Sequence, residues 1–208
     1  MNRQVHLPVC TSRARFIHDE RAAQIVEFAV ALPLLVVFVV GIFDFSTAFT
    51  FKQRLTNMAR DAAHVAGVDP SNDVLAGTPL PISVADVAQI IDNYLLVNNI
   101  NDCGLSTQTS APANSGLTWT FNANNNGCPP AGLTIIVNRG YYFPATGATV
   151  PPVSCQSQSP GARTAIIGTC VSVQYPYPWK FGRAASLIGS TDTLPTQITA
   201  VGVSMNED

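Results

Sequence analysis

An unbroken apolar segment near the start of the 208-residue chain constrains its fold more than any other feature. Residues 25–45 carry two acids, Glu27 and Asp44, one near each end, and no other charged side chain. About 20 apolar residues in a helix cross the roughly 30 Å of hydrocarbon in a bilayer. The segment therefore predicts a membrane-spanning helix with a carboxylate close to each lipid boundary, where a charge is costly.

The charges around this segment predict its orientation. Four arginines precede it: Arg3, Arg13, Arg15 and Arg21. Three cations follow it closely and favour the opposite orientation: Lys52, Arg54 and Arg60. Because Lys and Arg beside a span favour the cytoplasm, we expect a single-pass protein with residues 1–22 inside the cell and the C-terminal part outside. A cleaved secretory signal is an alternative, with a weak fit at residues 46–48.

Cysteine usage agrees with export of the C-terminal part. Four of the five cysteines follow the span, and only Cys10 precedes it. Four cysteines in an exported segment suggest two disulfides with three possible pairings. We expect Cys103–Cys128 and Cys155–Cys170, which close the shortest loops, with free buried thiols as the alternative. No CxxC pair is present, so neither a zinc site nor a redox motif is expected.

The chain divides into a leader (1–22), a long helix (23–66) and a head domain (67–208). After Phe49 the helix becomes amphipathic, with apolar residues at three- and four-residue steps: Phe51, Leu55, Met58, Ala59, Ala62, Ala63 and Ala66. Gly67 and the turn at 69–72 end it. At about 65 Å it exceeds the bilayer, so its outer half must lie against the head or neighbouring subunits. Pro33 predicts a kink or a loosened turn.

The head is predicted to be α+β, with a second helix and a mostly antiparallel sheet. The helix covers 84–97, opens with a capping box formed by Ser83 and Asp86, and packs through Val84, Val87, Ile91 and Leu95, joined by Ala88, Ile90 and Leu96. Strands are expected at 117–121, 133–138, 170–175 and 197–204 because these segments alternate or carry β-branched residues. Residues 144–165 are expected to form a loop.

No catalytic or ligand-binding motif stands out in the sequence. The three histidines, His6, His18 and His64, are too dispersed to cluster, and a nucleotide-binding loop or nucleophile motif is missing. Asp86 and Asp92 are expected to be solvated or to cap a helix. The aromatic groups at 141–143 and 175–179 favour packing or a subunit contact over sugar or base binding. With a net charge of −2, no nucleic-acid partner, metal, cofactor or enzymatic activity is expected, and an anchored hydrolase ranks last.

Glu27 gains a partner if the chain is cut between Ala22 and Ala23. The cut creates an α-ammonium at Ala23, which a neighbouring subunit could offer to the carboxylate in a medium of low dielectric constant. Such a pair would fix the register between subunits. The alternative is a carboxylate that simply reaches interfacial water.

The same residues carry a family resemblance. The stretch RAAQIVEFAVALPLLVVFVVGIFDFSTAF and its continuation FKQRLTNMARDAAHVAG resemble the TadE-like family of tight-adherence (Flp) pilus assembly proteins, or pseudopilins, with a type IV pilin-like N terminus. The tail VSVQYPYPWKF…LPTQITAVGVSMNED resembles it more weakly. One departure is Ala22, where glycine is usual.

The resemblance implies a minor pilus component. It implies processing by a prepilin peptidase between Ala22 and Ala23, an assembly role for Glu27, and contacts with other pilins or pseudopilins and the inner-membrane assembly platform. The protein would then stay in the membrane or enter the pilus. The competing interpretation is a membrane-anchored extracellular adhesin or binding module that uses its aromatic loops.

Overall fold

A computed structural model describes residues 20–74, 79–108, 110–143, 155, 166–180 and 195–207. Most of the expected leader and nearly all of the expected loop at 144–165 lie outside these residues. The described part consists of a long helix, a second helix and one antiparallel sheet, which confirms the predicted α+β class.

The first helix, α1, covers Glu20–Val68 and is 49 residues long. It remains helical through Pro33, where the missing N–H removes one backbone hydrogen bond. At 1.5 Å per residue it is about 73 Å long. Its outer half packs against the sheet and the second helix, as expected for a helix longer than a bilayer is thick.

The second helix, α2, covers Ile82–Val97 and follows a short 3-10 turn at Ser71–Asp73. Its predicted capping box is wrong. Pro81 is the N-cap residue, and Asp73 takes the capping role from the preceding turn, accepting hydrogen bonds from the backbone N–H and the hydroxyl of Ser83. The predicted face is buried at Val84, Val87, Ile91 and Leu95, whereas Leu96 is exposed.

Five strands form one sheet in the order β1-β2-β3-β4-β5, and each pairs with the next in an antiparallel manner. Their bounds are β1 Ala113–Ser115, β2 Thr118–Ala123, β3 Leu133–Phe143, β4 Ile166–Pro176 and β5 Gln197–Met205. The four predicted strands are therefore present. The short exposed edge strand β1 was missed because three polar and small residues give no alternation.

One face of the sheet builds the main core against α1 and α2. The inward residues alternate along the strands, as in Leu133, Ile135 and Val137 of β3, and Trp119 is fully buried among them. The predicted amphipathic face of α1 is confirmed: Leu55, Met58, Ala59, Ala62, Ala63 and Ala66 are buried, and Phe51 packs against them.

Small residues bring α1 very close to β5. A Cβ on Gly202 would lie 2.2 Å from the carbonyl oxygen of Ala59. Gly202 stands opposite Val171 of β4 in the register. The contact between helix and sheet therefore depends on the absence of a side chain at Gly202, which faces the backbone of Ala59.

Candidate membrane span and assembly surface

The first part of α1 is exposed on all sides. From residue 23 to residue 40 every side chain is exposed except that of Val37, which is half-buried. These 18 residues cover about 27 Å along the helix axis, close to the thickness of the hydrocarbon core. A helix that is apolar all round and exposed all round suits lipid or other apolar helices. By length and composition, one described helix could cross a membrane.

The predicted processing and assembly residues lie at the start of this exposed part. Ala22 and Ala23 fall in the first turn of α1, and Glu27 follows Ala23 by about one turn. The Glu27 side chain is exposed between the exposed Val26 and Phe28. Its pairing with an ammonium group of a second copy stays a prediction, as does cleavage before Ala23.

Burial begins abruptly at the other end of the apolar segment. Gly41, Asp44 and Ala48 are buried at three- and four-residue steps, while Ile42 and Phe43 between them stay exposed. This series continues without interruption into the packed face that starts at Phe51. The boundary at residue 41 therefore separates an exposed rod from a helix that packs on one side.

Asp44 is the charged residue at this boundary, with 4% of its surface exposed. The hydroxyl of Tyr177, just after β4, donates a hydrogen bond to its carboxylate over 3.4 Å. Burial, and then the charge of Asp44 with this hydrogen bond, raises the pKa of Tyr177. The second acid of the span is thus held by the head, whereas Glu27 is exposed.

Aromatic rings cover the junction around Asp44. Trp179 packs on Phe45 with ring centroids 5.4 Å apart and on Tyr177 at 4.9 Å. Phe51 contacts Tyr175 and Tyr177 at 5.2 and 5.8 Å. The aromatic group at 175–179 therefore packs against α1, in line with the expectation of a packing role.

The burial of Asp44 was not predicted from the sequence, in which it stands only as an acid near the lipid boundary. A signal was present: Gly41, Asp44 and Ala48 extend the spacing of the amphipathic face backwards from Phe51. The burial of an acid on a packed face requires a donor. That donor, Tyr177, lies 133 residues away, so no local pattern reveals the pair.

The cysteines form the sequential disulfides. Cys103–Cys128 ties the segment after α2 to the connection between β2 and β3, with the Cα atoms 4.9 Å apart. Cys155–Cys170 ties residue 155 to β4, with the Cα atoms 5.4 Å apart. The second disulfide lies in a small cluster with Tyr141 that excludes the main core residues. The two bridges thus belong to different clusters of buried residues.

A pair of buried acids lies next to the first disulfide. Asp92 of α2 and Asp102 are both buried, contrary to the expectation that Asp92 is solvated or caps a helix. Burial, and then the charge of Asp102 with a hydrogen bond to it, raises the pKa of Asp92. Ser106 donates a hydrogen bond to Asp102 over 3.3 Å. In the described part of the chain no group of three or more acid, histidine or cysteine side chains could hold a metal ion.

These features define a class of protein: a small disulfide-linked α+β head on an apolar helix long enough to anchor it in a membrane. Residues 22–64 match the family model described as TadE-like protein. This match covers α1 from the predicted cleavage position to the packed outer half, and it confirms the resemblance expected from the sequence. No curated protein and no solved structure matches the chain.

Proposed function

We propose that this chain is a TadE-like minor pseudopilin, a non-enzymatic, membrane-anchored component of tight-adherence (Flp) pilus assembly. The family match suggests a protein associated with the Tad pilus. The minor pseudopilin role goes further and is supported by the way α1 is divided. One continuous helix presents an exposed apolar rod with Glu27 near its N-terminal end and a head packed on its other half.

That division is the observation on which the proposal rests. Of the eighteen residues 23–40, all but the half-buried Val37 are exposed and so lack a packing partner in the part of the head that the structure describes; lipid or other subunits can supply their burial. A helix of this kind can move from the bilayer into a bundle of similar helices without any change in the head. Glu27 then sits where a subunit shifted along the axis could supply a cation.

The proposal includes an orientation and a set of partners. The leader lies in the cytoplasm of a bacterial inner membrane and the head lies outside, where its disulfides can form. A prepilin peptidase cuts between Ala22 and Ala23, after which other pilins or pseudopilins and the assembly platform contact α1. The first-turn N–H groups of α1 have no partner within the helix, so opening this turn for cleavage breaks few hydrogen bonds.

The adhesin alternative receives less support. It needs aromatic rings free to stack on a ligand, but Tyr175 is buried and Tyr177 and Trp179 pack against α1. Tyr141 is also buried, with its ring 5.4 Å from that of Phe143. Binding of glycans by the full-length protein in detergent would favour the adhesin alternative.

Mass spectrometry of the protein extracted from membranes tests the processing step. We expect an N terminus at Ala23, and an intact Met1 would overturn this step. An Ala22→Gly variant is the matched control, because glycine restores the residue that is usual at this position. It should be cut at least as completely as the native chain.

Piliation tests the role of Glu27. We expect Glu27→Gln to abolish pili while the protein stays in the membrane at its normal level. The matched control is Glu207→Gln, which makes the same change at an exposed residue at the far end of the head. Normal pili with Glu27→Gln would contradict the assembly role of Glu27. Loss of pili in both variants would show that the effect is not specific to position 27.

A further inference from the structure

A groove opens where α1 leaves the expected hydrocarbon region. It has a volume of about 470 Å³ and lies between α1, the segment after β4 and the start of β5. We call it the junction groove, and the residues that line it include Phe45, Phe49, Lys52, Trp179, Ile198 and Thr199. It is separate from the exposed rod and from Glu27.

The three residues from α1 form one continuous strip. Phe45, Phe49 and Lys52 have i, i+4 and i+7 spacing, so they lie on one face of the helix. Phe45 and Phe49 are 53% and 64% exposed, and Lys52 is also exposed. About 10 Å along the axis separates Phe45 from Lys52. The strip therefore changes from apolar to cationic along the helix, in the direction from the exposed rod to the head.

Trp179 forms the opposite wall and is held in place. Its indole N–H donates a hydrogen bond to the carbonyl oxygen of Pro195 over 2.6 Å, and its ring packs on Phe45. Tryptophan is enriched at the boundary between hydrocarbon and headgroups, because its ring is apolar and its N–H needs a partner. Here the partner is a backbone carbonyl, and the half-buried indole contributes part of its surface to the wall of the groove.

The charge of the groove selects its occupant. The described residues that line it include one cation, Lys52, and no acid. A second apolar helix would leave the ammonium without a counter-charge, whereas an anionic phospholipid supplies a phosphate beside Lys52 and a chain beside Phe45 and Phe49. Thr199 and Gln197 add polar groups near the same mouth.

We propose that the junction groove binds one anionic phospholipid of the surrounding bilayer, with its acyl chain against Phe45, Phe49 and Trp179 and its phosphate at Lys52. This proposal rests on the proposed membrane anchoring of α1. The bound lipid sets the distance between the head and the bilayer and occupies the space between them.

The test uses the full-length chain in vesicles of equal parts phosphatidylcholine and phosphatidylglycerol, in which one lipid at a time carries bromine on its acyl chains. Bromine quenches tryptophan fluorescence on contact. The other tryptophan, Trp119, is fully buried. A Trp179→Phe variant gives the fluorescence of Trp119 alone, which is subtracted. We expect brominated phosphatidylglycerol to quench Trp179 about fivefold more effectively than brominated phosphatidylcholine, the preference that one lysine near a surface supports.

Two variants of equal charge locate the effect. Lys52→Gln should bring the quenching ratio to about one, whereas Arg54→Gln should leave it unchanged, because Arg54 is two residues further on and lines a different part of the surface. An equal ratio in the native chain, or the same loss in both variants, would overturn the lipid site.

A carbonate wash of the same vesicles separates the two proposals. A chain that is retained but shows no lipid preference overturns the groove alone. A chain that washes out overturns the membrane anchoring and the groove together. Weak quenching of Trp179 by both lipids means that protein covers the groove, which also overturns the lipid site.

Discussion

Tyr177, which follows β4, donates a hydrogen bond to the carboxylate of Asp44, which lies in α1 133 residues earlier, over 3.4 Å. The bond joins the outer end of the apolar segment to the segment that follows β4. It also explains how an acid is tolerated at this position, because the donor comes from the head. The head thus contacts the outer end of the apolar segment through two residues that are remote in sequence.

Removing this donor should loosen the junction. We expect Tyr177→Phe to lower the free energy of unfolding by about 1–3 kcal/mol, since a buried carboxylate loses a hydrogen bond. Thermal unfolding in detergent micelles measures the change. The control is Tyr142→Phe, because the Tyr142 hydroxyl has no hydrogen-bond partner among the residues described here. An equal loss in both variants would contradict the role of the Tyr177–Asp44 bond.

The close approach of β5 to α1 should tolerate no side chain at Gly202. We expect Gly202→Ala to cost about 3 kcal/mol or more, since the new Cβ would meet the Ala59 backbone. Chemical denaturation in micelles measures the cost. Gly116→Ala is the comparison: Gly116 has φ +62° and no atom near the position of a Cβ, so its cost of about 1 kcal/mol reflects backbone strain alone. Equal costs would mean that the helix can move away from the sheet.

A buried arginine should hold the end of α1 to the sheet. Arg139 is 3% exposed and donates hydrogen bonds to the Thr169 hydroxyl and to the Asp69 backbone carbonyl, both over 2.9 Å. We expect Arg139→Ala to cost about 3 kcal/mol, because the buried Thr169 hydroxyl and the carbonyl of the half-buried Asp69 lose their donor.

Arg60→Ala is the matched control for Arg139. Arg60 is exposed on α1, and its loss should change stability by less than about 0.5 kcal/mol. Thermal unfolding of both variants under the same conditions decides the matter. A similar small change in both would show that the Arg139 bonds contribute little.

The buried pair Asp92 and Asp102 predicts a distinctive pH dependence. The raised pKa of Asp92 means that the folded state holds this proton more tightly than the unfolded state. Its contribution to stability is therefore full below the ordinary aspartate pKa and is lost as the pH rises through the raised value. Two other titratable groups, Asp102 and Tyr175, lie nearby. Burial, and then the charge of Asp102, raises the pKa of Tyr175.

Asp92→Asn should remove the loss of stability that the native chain shows as the pH rises. We expect the variant to resemble the native chain in stability at about pH 3 and to exceed it at about pH 8. Unfolding midpoints across this range measure the difference, and Asp86→Asn on the same helix is the control. Parallel pH profiles for the native chain and Asp92→Asn would contradict the assignment.

The two disulfides should contribute separately. Their sequence separations are 25 and 15 residues, and closing loops of these lengths in the unfolded chain stabilises the fold by about 3 kcal/mol each. We expect the double variants Cys103→Ser/Cys128→Ser and Cys155→Ser/Cys170→Ser to lose about this much. Since the bridges lie in different clusters, the two losses should add. Peptide mapping that finds crossed pairs would contradict the pairing.

Periodicity predicted the elements well because it reflects burial along one element at a time. The steps from Phe51 to Ala66 gave the packed face of α1, and the alternation around Ile135 gave β3. The capping of α2 was predicted wrongly because Asp73, ten residues before Ser83, outcompeted the local partner Asp86. Contacts set by a turn outside the element leave no trace in its own pattern.

The sequence by itself indicated a candidate membrane span, since a long apolar run favours a nonaqueous environment whatever the fold of the head. It also determined the α+β class and the residues that α1 buries. Tertiary structure alone decided that Asp44 is buried while Glu27 is exposed, that Asp92 meets Asp102, and that Trp179 forms a groove with Lys52. Each of these relationships joins groups far apart in the chain, and only the folded backbone fixes the distance between them.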